Sequence, residues 1–501
     1  MIHLAFSDIL IIVLYFVSVV YIGFRAAKRK QESEDDFLLA GRSLTLPVFI
    51  MTLVSTWYGG ILGVGEFSYR YGISNWVVQG VPYYIFAAVF AFLLAKKIRA
   101  TNLYTIPDKL EIAYDRKTAV LGSLLTFILM TPAPYILMLS VFLQMLFGWN
   151  LLVSLIVTAV VAISYLFFGG FRSDVQTDIL EFILMFIGFA VILPFCLLRY
   201  GGTDFLRGNL PPQHLTWHGG NSIQYIIAWF FIALWTLVDP AFHQRCYAAK
   251  DGSVAQRGIL ISIIFWLIFD FMTAIAGLYA RTALPGLVEP MMAYPMLAET
   301  ILPPIAKGLF YVGMLATIMS TLNTLAFVSA QSLGRDILGR LKIRDSRLGF
   351  PGIEHGALNR AGGSEIRNQK SGLSTRLTQI GLLVSFALSI ALALAIPSVI
   401  KMWYTIGTVV IPGLLVPLMA SYFERLRIPT RFAFMSMLLG WLTSLGWMIM
   451  GNIGGRPGVY PFGIEPMYPG LVIALVFWFL GRISEARKIG SALMAKDLTK
   501  I

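Results

Sequence analysis

Residues 55–66 read Ser55-Thr56-Trp57-Tyr58-Gly59-Gly60-Ile61-Leu62-Gly63-Val64-Gly65-Glu66, inside an apolar run from 44 to 69. The run is long enough to cross a bilayer, which takes about 20 apolar residues. Yet it holds four glycines and a carboxylic acid. Two readings stand. A glycine-rich helix packs closely on a neighbour, or the helix unwinds and turns its carbonyls toward an ion. Unwound backbone at membrane depth persists only where it lines a polar cavity or is buried in protein. Glu66 favours the second reading, because a bilayer-centre carboxylate costs about 2.5–3.5 kcal/mol without a partner.

Outward from this stretch, about 13 apolar runs are predicted as spans. They lie near 6–25, 44–69, 76–95, 119–147, 151–168, 176–198, 222–242, 258–280, 305–332, 377–396, 401–423, 432–450 and 467–481. The chain of 501 residues is 57% hydrophobic and only 13% charged, against about 25% charged in soluble domains. That excludes a soluble enzyme, a disordered protein and a soluble nucleic-acid binder. Continuous runs exclude a β-barrel, whose strands alternate. The fold class is therefore an all-α polytopic membrane protein. The first run reads as a retained span rather than a signal peptide.

The net charge of +13 is a sidedness signal. With the N-terminus outside and alternating spans, only Arg70, Arg199, Arg207, Arg281, Lys307, Lys401 and Arg456 of the 39 Lys and Arg fall outside. The other 32 lie inside, as the positive-inside rule requires. The expected location is the cell membrane with the C-terminal tail (483–501) cytoplasmic. The stretch 335–376 is expected to be a basic cytoplasmic loop. Expected partners are a small-molecule solute and membrane lipid. No nucleic acid and no obligatory protein partner are expected. Cys196 and Cys246 lie in or beside apolar segments, so no disulfide framework is implied. No GxxxxGK[ST] loop occurs, so direct use of ATP is not expected. The five histidines are scattered, and no nucleophile–base constellation emerges, so the chain is not read as an enzyme.

A second break is predicted in span 7, at Trp235-Thr236-Leu237-Val238-Asp239-Pro240, where proline removes a helical hydrogen bond. Spans 2 and 7 are five apart. Interrupted segments at matching places mark inverted-repeat transporters, with spans 2–6 (44–198) and 7–11 (222–423) as five-helix repeats. Span 9 carries a polar cluster, Thr317-Ile318-Met319-Ser320-Thr321-Leu322-Asn323-Thr324. Such hydroxyls bond back to their own helix or present oxygens to a small hard cation. Asp270, in span 8, is a further buried acid that could pair with a neighbour or bind protons.

At these residues the chain resembles the sodium:solute symporter family, with its LeuT-type 5+5 inverted-repeat fold. The resemblance is carried by Phe37-Leu38-Leu39-Ala40-Gly41-Arg42-Ser43-Leu44, Trp57-Tyr58-Gly59-Gly60, Gly169-Gly170-Phe171-Arg172 with Thr177-Asp178, Gln244-Arg245 with Ala248-Ala249-Lys250, Gly277-Leu278-Tyr279-Ala280-Arg281, and Met319-Ser320-Thr321 with Arg335-Asp336. It implies Na+ as coupling ion, held by the carbonyls of Ser55, Tyr58 and Thr317 and the hydroxyls of Ser320 and Thr321. It implies a role for Asp178 in sodium release or a second sodium; a plain helix N-terminal aspartate is the alternative. Trp57 and Trp235 depart from members with an acidic residue and a gate tyrosine at those positions, so neither proline nor sugar follows as substrate. Trp57, Tyr58, Glu66, Gln144, Trp229, Trp235 and Asp239 are the substrate-lining candidates. The function expected is sodium-coupled symport of a small polar solute. A proton-coupled carrier or a solute sensor is the alternative.

Overall fold

The computed structural model describes residues 2–28, 33–342, 363–453 and 460–498. Of the stretch 335–376 expected to be a loop, 335–342 and 363–376 are helical; its middle and the last residues of the tail lie outside the described residues. Eleven of the helices are long and apolar enough to cross a membrane. They include α1 (Phe6–Ala27), and a twelfth pass comes from α2 (Leu46–Trp57) and α3 (Ile61–Tyr71), which are bent by 59° at the glycine pair. Next come α4 (Trp76–Ala100), the short α5 (Ile106–Ala113) and α6 (Arg116–Phe147). The segment α7 (Leu151–Tyr200), two helical arms joined at a non-helical Gly170, follows.

At about 1.5 Å per residue, the 50 residues of α7 would be far longer than a bilayer is thick if straight. They are not straight. Val157, Thr158 and Val161 share a crevice with Val13, Phe16 and Val17 of α1, and Phe168 packs on Phe24 at 6.1 Å. Beyond the turn, the Ser173 hydroxyl donates to the Gly23 carbonyl (2.7 Å), and Glu181 accepts from the Tyr15 hydroxyl (3.1 Å). The chain thus runs up α1 and back down it. It reverses at Gly170, whose φ of +55° suits glycine and whose missing Cβ makes room for Phe37. Counted as two arms, α7 completes thirteen passes, matching the sequence pattern.

The second half contains α8 (Ile223–Ile232), α9 (Pro240–Ala248), α10 (Gly252–Ala283) and α11 (Ala306–Gln331). Four passes follow: α12 (Gly372–Ala395), α13 (Val399–Ser421), α14 (Thr430–Gly451) and α15 (Met467–Arg487). The turn at Trp235–Val238 and extended Asp239 separate α8 from α9, so the predicted break in span 7 is present. Almost every residue of α11 is buried. It runs antiparallel to the second arm of α7, with Gly313 against Gly188 at one end and Thr324 bonded to Asp174 at the other.

The connections expected inside meet on one face. Leu44, before α2, pairs with Ala249, after α9: the Leu44 N–H donates to Ala248 O (3.1 Å) and the Lys250 N–H to Leu44 O (3.0 Å). Arg335 contacts Glu34 (2.8 Å), Asp108 (2.9 Å) and Asp336 (2.8 Å). Arg340 contacts Asp108 (2.6 Å), Glu111 (2.8 Å) and Asp336 (2.7 Å). On the opposite face Lys307 pairs with Glu299 (2.9 Å), and the Tyr279 hydroxyl donates to Gly201 O (2.6 Å).

Candidate functional site

α2 ends at Trp57 without a backbone-capping bond at Tyr58, because two glycines follow and α3 leaves at a steep angle. The freed carbonyls face α11. The Thr321 hydroxyl donates to Thr56 O at 2.6 Å, with Thr317 O at 3.4 Å. Ser320 donates to Asp178 Oδ1 at 2.5 Å and lies 3.0 Å from Ser55 Oγ. Gly59 has to be glycine, since a Cβ there would overlap the Thr321 side chain. The structure therefore brings Ser55, Thr317, Ser320, Thr321 and Asp178 together, with Tyr58 at the helix end beside them.

Sequence reasoning missed what stands behind this set. Arg245, fully buried on α9, sends Nη2 to Thr52 (2.9 Å), Thr56 (2.6 Å), Thr324 (2.9 Å) and Asp178 (3.3 Å). The Thr52 hydroxyl also donates to Asp178. Asp174, one turn before Asp178, accepts from Thr324 at 2.7 Å and lies 4.0 Å from Arg245. The signal was present: Asp174 and Asp178 share a helix face at i,i+4. Their counter-charge, however, is 67 residues further on.

A cavity of about 160 Å³ opens between the two broken spans. Trp57, Tyr58, Trp229, Trp235 and Asp239 line it, together with Asp270. Tyr83, Tyr135 and Trp403 join them, and no sequence pattern marked these three. Trp57 packs edge-on against Tyr83 (5.0 Å) and Phe242 (5.5 Å). Asp239 caps α9, accepting from the N–H groups of Ala241 (2.7 Å) and Phe242 (3.3 Å). Asp270 accepts from the Tyr84 hydroxyl. Thr56, Thr321 and Arg245 belong both to the cavity wall and to the hydroxyl cluster.

Glu66 and Gln144 lie off this cavity. Glu66 pairs with Arg70 at 3.0 Å, one turn along α3. Beyond the bend its partner is a half-exposed arginine. Gln144 sits in the last turn of α6, where its carbonyl caps Gly148 at 2.8 Å.

The model of the sodium:solute symporter family matches residues 37–347, which contain both breaks and the hydroxyls of α11. The chain belongs to the sodium:solute symporter family. The sodium/pantothenate symporter of Haemophilus influenzae is 28% identical over 344 residues, covering 66% of this chain and 71% of that one. The sodium/proline symporter 2 of Staphylococcus saprophyticus is 23% identical, covering 69% and 71%. Among solved structures, a Na+-coupled sialic acid symporter in a substrate-bound outward-open state superposes with a TM-score of 0.73 at 14% identity, covering 96% and 98%. The nucleobase-cation-symport-1 transporter Mhp1 in a closed conformation gives 0.58 at 11%, covering 90% and 95%. These likenesses show the LeuT-type fold of this symporter-family member.

Proposed function

We propose that this chain is a sodium-coupled symporter that imports a small polar organic solute by alternating access. One observation carries the reading: the hydroxyl cluster and the aromatic cavity share the wall formed by Thr56 and Thr321. An ion seated at the break in α2–α3 therefore shapes the surface that meets the solute. The proposed Na+ ligands are the carbonyls of Ser55, Tyr58 and Thr317 and the hydroxyls of Ser320 and Thr321. All are oxygens, as a hard cation requires. Asp178 is the proposed route of release or a second ion site. The repeats 44–198 and 222–423 move against each other, and the ion-paired face carrying Arg335 is cytoplasmic.

The solute lies among Trp57, Trp229, Trp235 and Trp403. Asp239 and Asp270 supply acceptors for its hydroxyl or ammonium groups. One charge crossing about 100 mV yields about 2.3 kcal/mol, and a tenfold sodium gradient adds about 1.4 kcal/mol. One Na+ per neutral solute thus sustains a roughly 500-fold accumulation, since every 1.4 kcal/mol is tenfold.

The test is uptake into vesicles containing the purified protein, starting with the solutes named for its relatives, pantothenate and proline, then quaternary amines and sugars. An inward Na+ gradient should drive accumulation, and K+ in its place should abolish it. Uptake that ignores the sodium gradient would sink this reading in favour of a proton-coupled carrier. Binding without uptake would favour a sensor.

A further inference from the structure

Three acids on the second arm of α7, Asp174, Asp178 and Glu181, recur at i, i+4 and i+7 and so share one helix face. All three are fully buried. Arg245 is the cation that faces them among the described residues. It lies 3.3 Å from Asp178 and 4.0 Å from Asp174, and no ion pair reaches Glu181. The contact of Glu181 is the Tyr15 hydroxyl on Oε1 at 3.1 Å, while Oε2 has no partner. Asn323 carries a second unpartnered buried atom. Asn323, fully buried on α11, donates its amide to the Tyr165 hydroxyl at 2.5 Å, and its Oδ1 bonds nothing. Tyr165 is within electrostatic reach of both Glu181 and Asp174.

We propose that Glu181 is a proton-binding site, linked to sodium occupancy beside Asp178. The linkage rests on the sodium reading above; the proton does not. An ionised carboxylate held by one neutral donor at membrane depth costs several kcal/mol, and taking up a proton removes that cost. The charges agree. Without Na+, Arg245 alone faces Asp174 and Asp178, and a protonated Glu181 keeps a further negative charge off this buried face. With one neutral donor on Oε1 and nothing on Oε2, the proton is the occupant that satisfies Glu181.

The groups facing Glu181 are Tyr15 on α1, Tyr165 on the first arm of α7, and Asp174 and Asp178 on its own arm. Asn323 on α11 bonds Tyr165, Thr324 on α11 bonds Asp174, and Arg245 on α9, with Thr52 and Thr56 on α2, holds Asp178. When Glu181 ionises, its charge adds to the attraction for a cation beside Asp178. Sodium therefore binds the deprotonated form more tightly, and by reciprocity sodium promotes release of the proton.

The test uses the full-length protein and Glu181→Gln, a near-isostere of the protonated acid that should fold normally. Infrared difference spectra of the sodium-free protein at neutral pH should show the carbonyl band of a buried, protonated carboxyl. Glu181→Gln should remove that band, and adding sodium should weaken it. The half-saturating sodium concentration, read from thermal stabilisation, should fall about fivefold or more between about pH 6 and pH 8 in the parent and stay flat in the variant. No band, or a band that survives in Glu181→Gln, overturns the proton site. A band that sodium leaves unchanged overturns the linkage. If sodium stabilises the protein at no pH, the sodium reading falls, and the band still decides Glu181.

Discussion

Ser320 donates its hydroxyl to Asp178 across 2.5 Å, joining two helices at positions 142 residues apart. The same oxygen lies 3.0 Å from Ser55 beside the break, so one serine of α11 ties α2 and α7 together at the proposed ion site. A hydrogen bond to a charged group contributes about 1.5–3 kcal/mol. Ser320→Ala is expected to raise the sodium concentration for half-maximal uptake at least about tenfold, and Ser320→Ala with Thr321→Ala to abolish sodium stimulation. Sodium activation curves in proteoliposomes read both. A curve unmoved by the double substitution would place the ion elsewhere.

Gly59→Ala places a methyl group into the Thr321 side chain and the Tyr135 ring. The break then has to move away from α11. Sodium-dependent uptake is expected to be lost while the protein still purifies as a monodisperse species. Gly446→Ala is the control, since a Cβ there meets nothing within 4 Å; it should transport normally.

Arg245→Met removes the charge that faces Asp174 and Asp178. Breaking one partner out of a buried ion pair costs about 3–5 kcal/mol, so a clear fall in thermal stability is expected. Arg245→Lys keeps the charge but not the fork that reaches Thr52, Thr56 and Thr324 together. It should fall between the parent and Arg245→Met in a melting series.

Asp108 lies outside the spans, in α5. Burial pushes its carboxyl up, but Arg335 and Arg340 outweigh that and hold it at about 2. Its folded value is thus below the ordinary 3.8. The sign follows: its contribution to stability is complete above about pH 4 and is lost as pH falls toward 2. Melting temperature measured against pH should show a loss in that window that Asp108→Asn lacks. Equal acid sensitivity in parent and variant would contradict the ion-paired arrangement.

The spans were legible because a membrane pass demands an unbroken apolar run, and Gly170 falls in the gap between two such runs. The break at Tyr58-Gly59-Gly60 was legible because glycine clusters at that depth need a reason. The partners Ser320 and Thr321 came from family resemblance as much as from their hydroxyls. Glu66 lies off the cavity although its run was read as unwound, because the break ends at Gly60 and the helix resumes before Glu66. The 59° bend and Arg70 one turn on explain its position, and only the arginine was visible in sequence. Arg245, Tyr83, Tyr135 and Trp403 join the site through packing between distant helices, which a single sequence does not encode locally. The proton site at Glu181 depends on Tyr15, 166 residues away.

Leu44, just before α2, is joined by two backbone hydrogen bonds to Ala248 and Lys250, on either side of Ala249 at the end of α9. Those two helices are halves of the two broken spans, and the pairing couples them as a single lever. The compliant points left to that lever are Tyr58–Gly60 and Asp239. A molecule hinged in this way converts an ion seated at one break into a tilt at the other through its backbone alone.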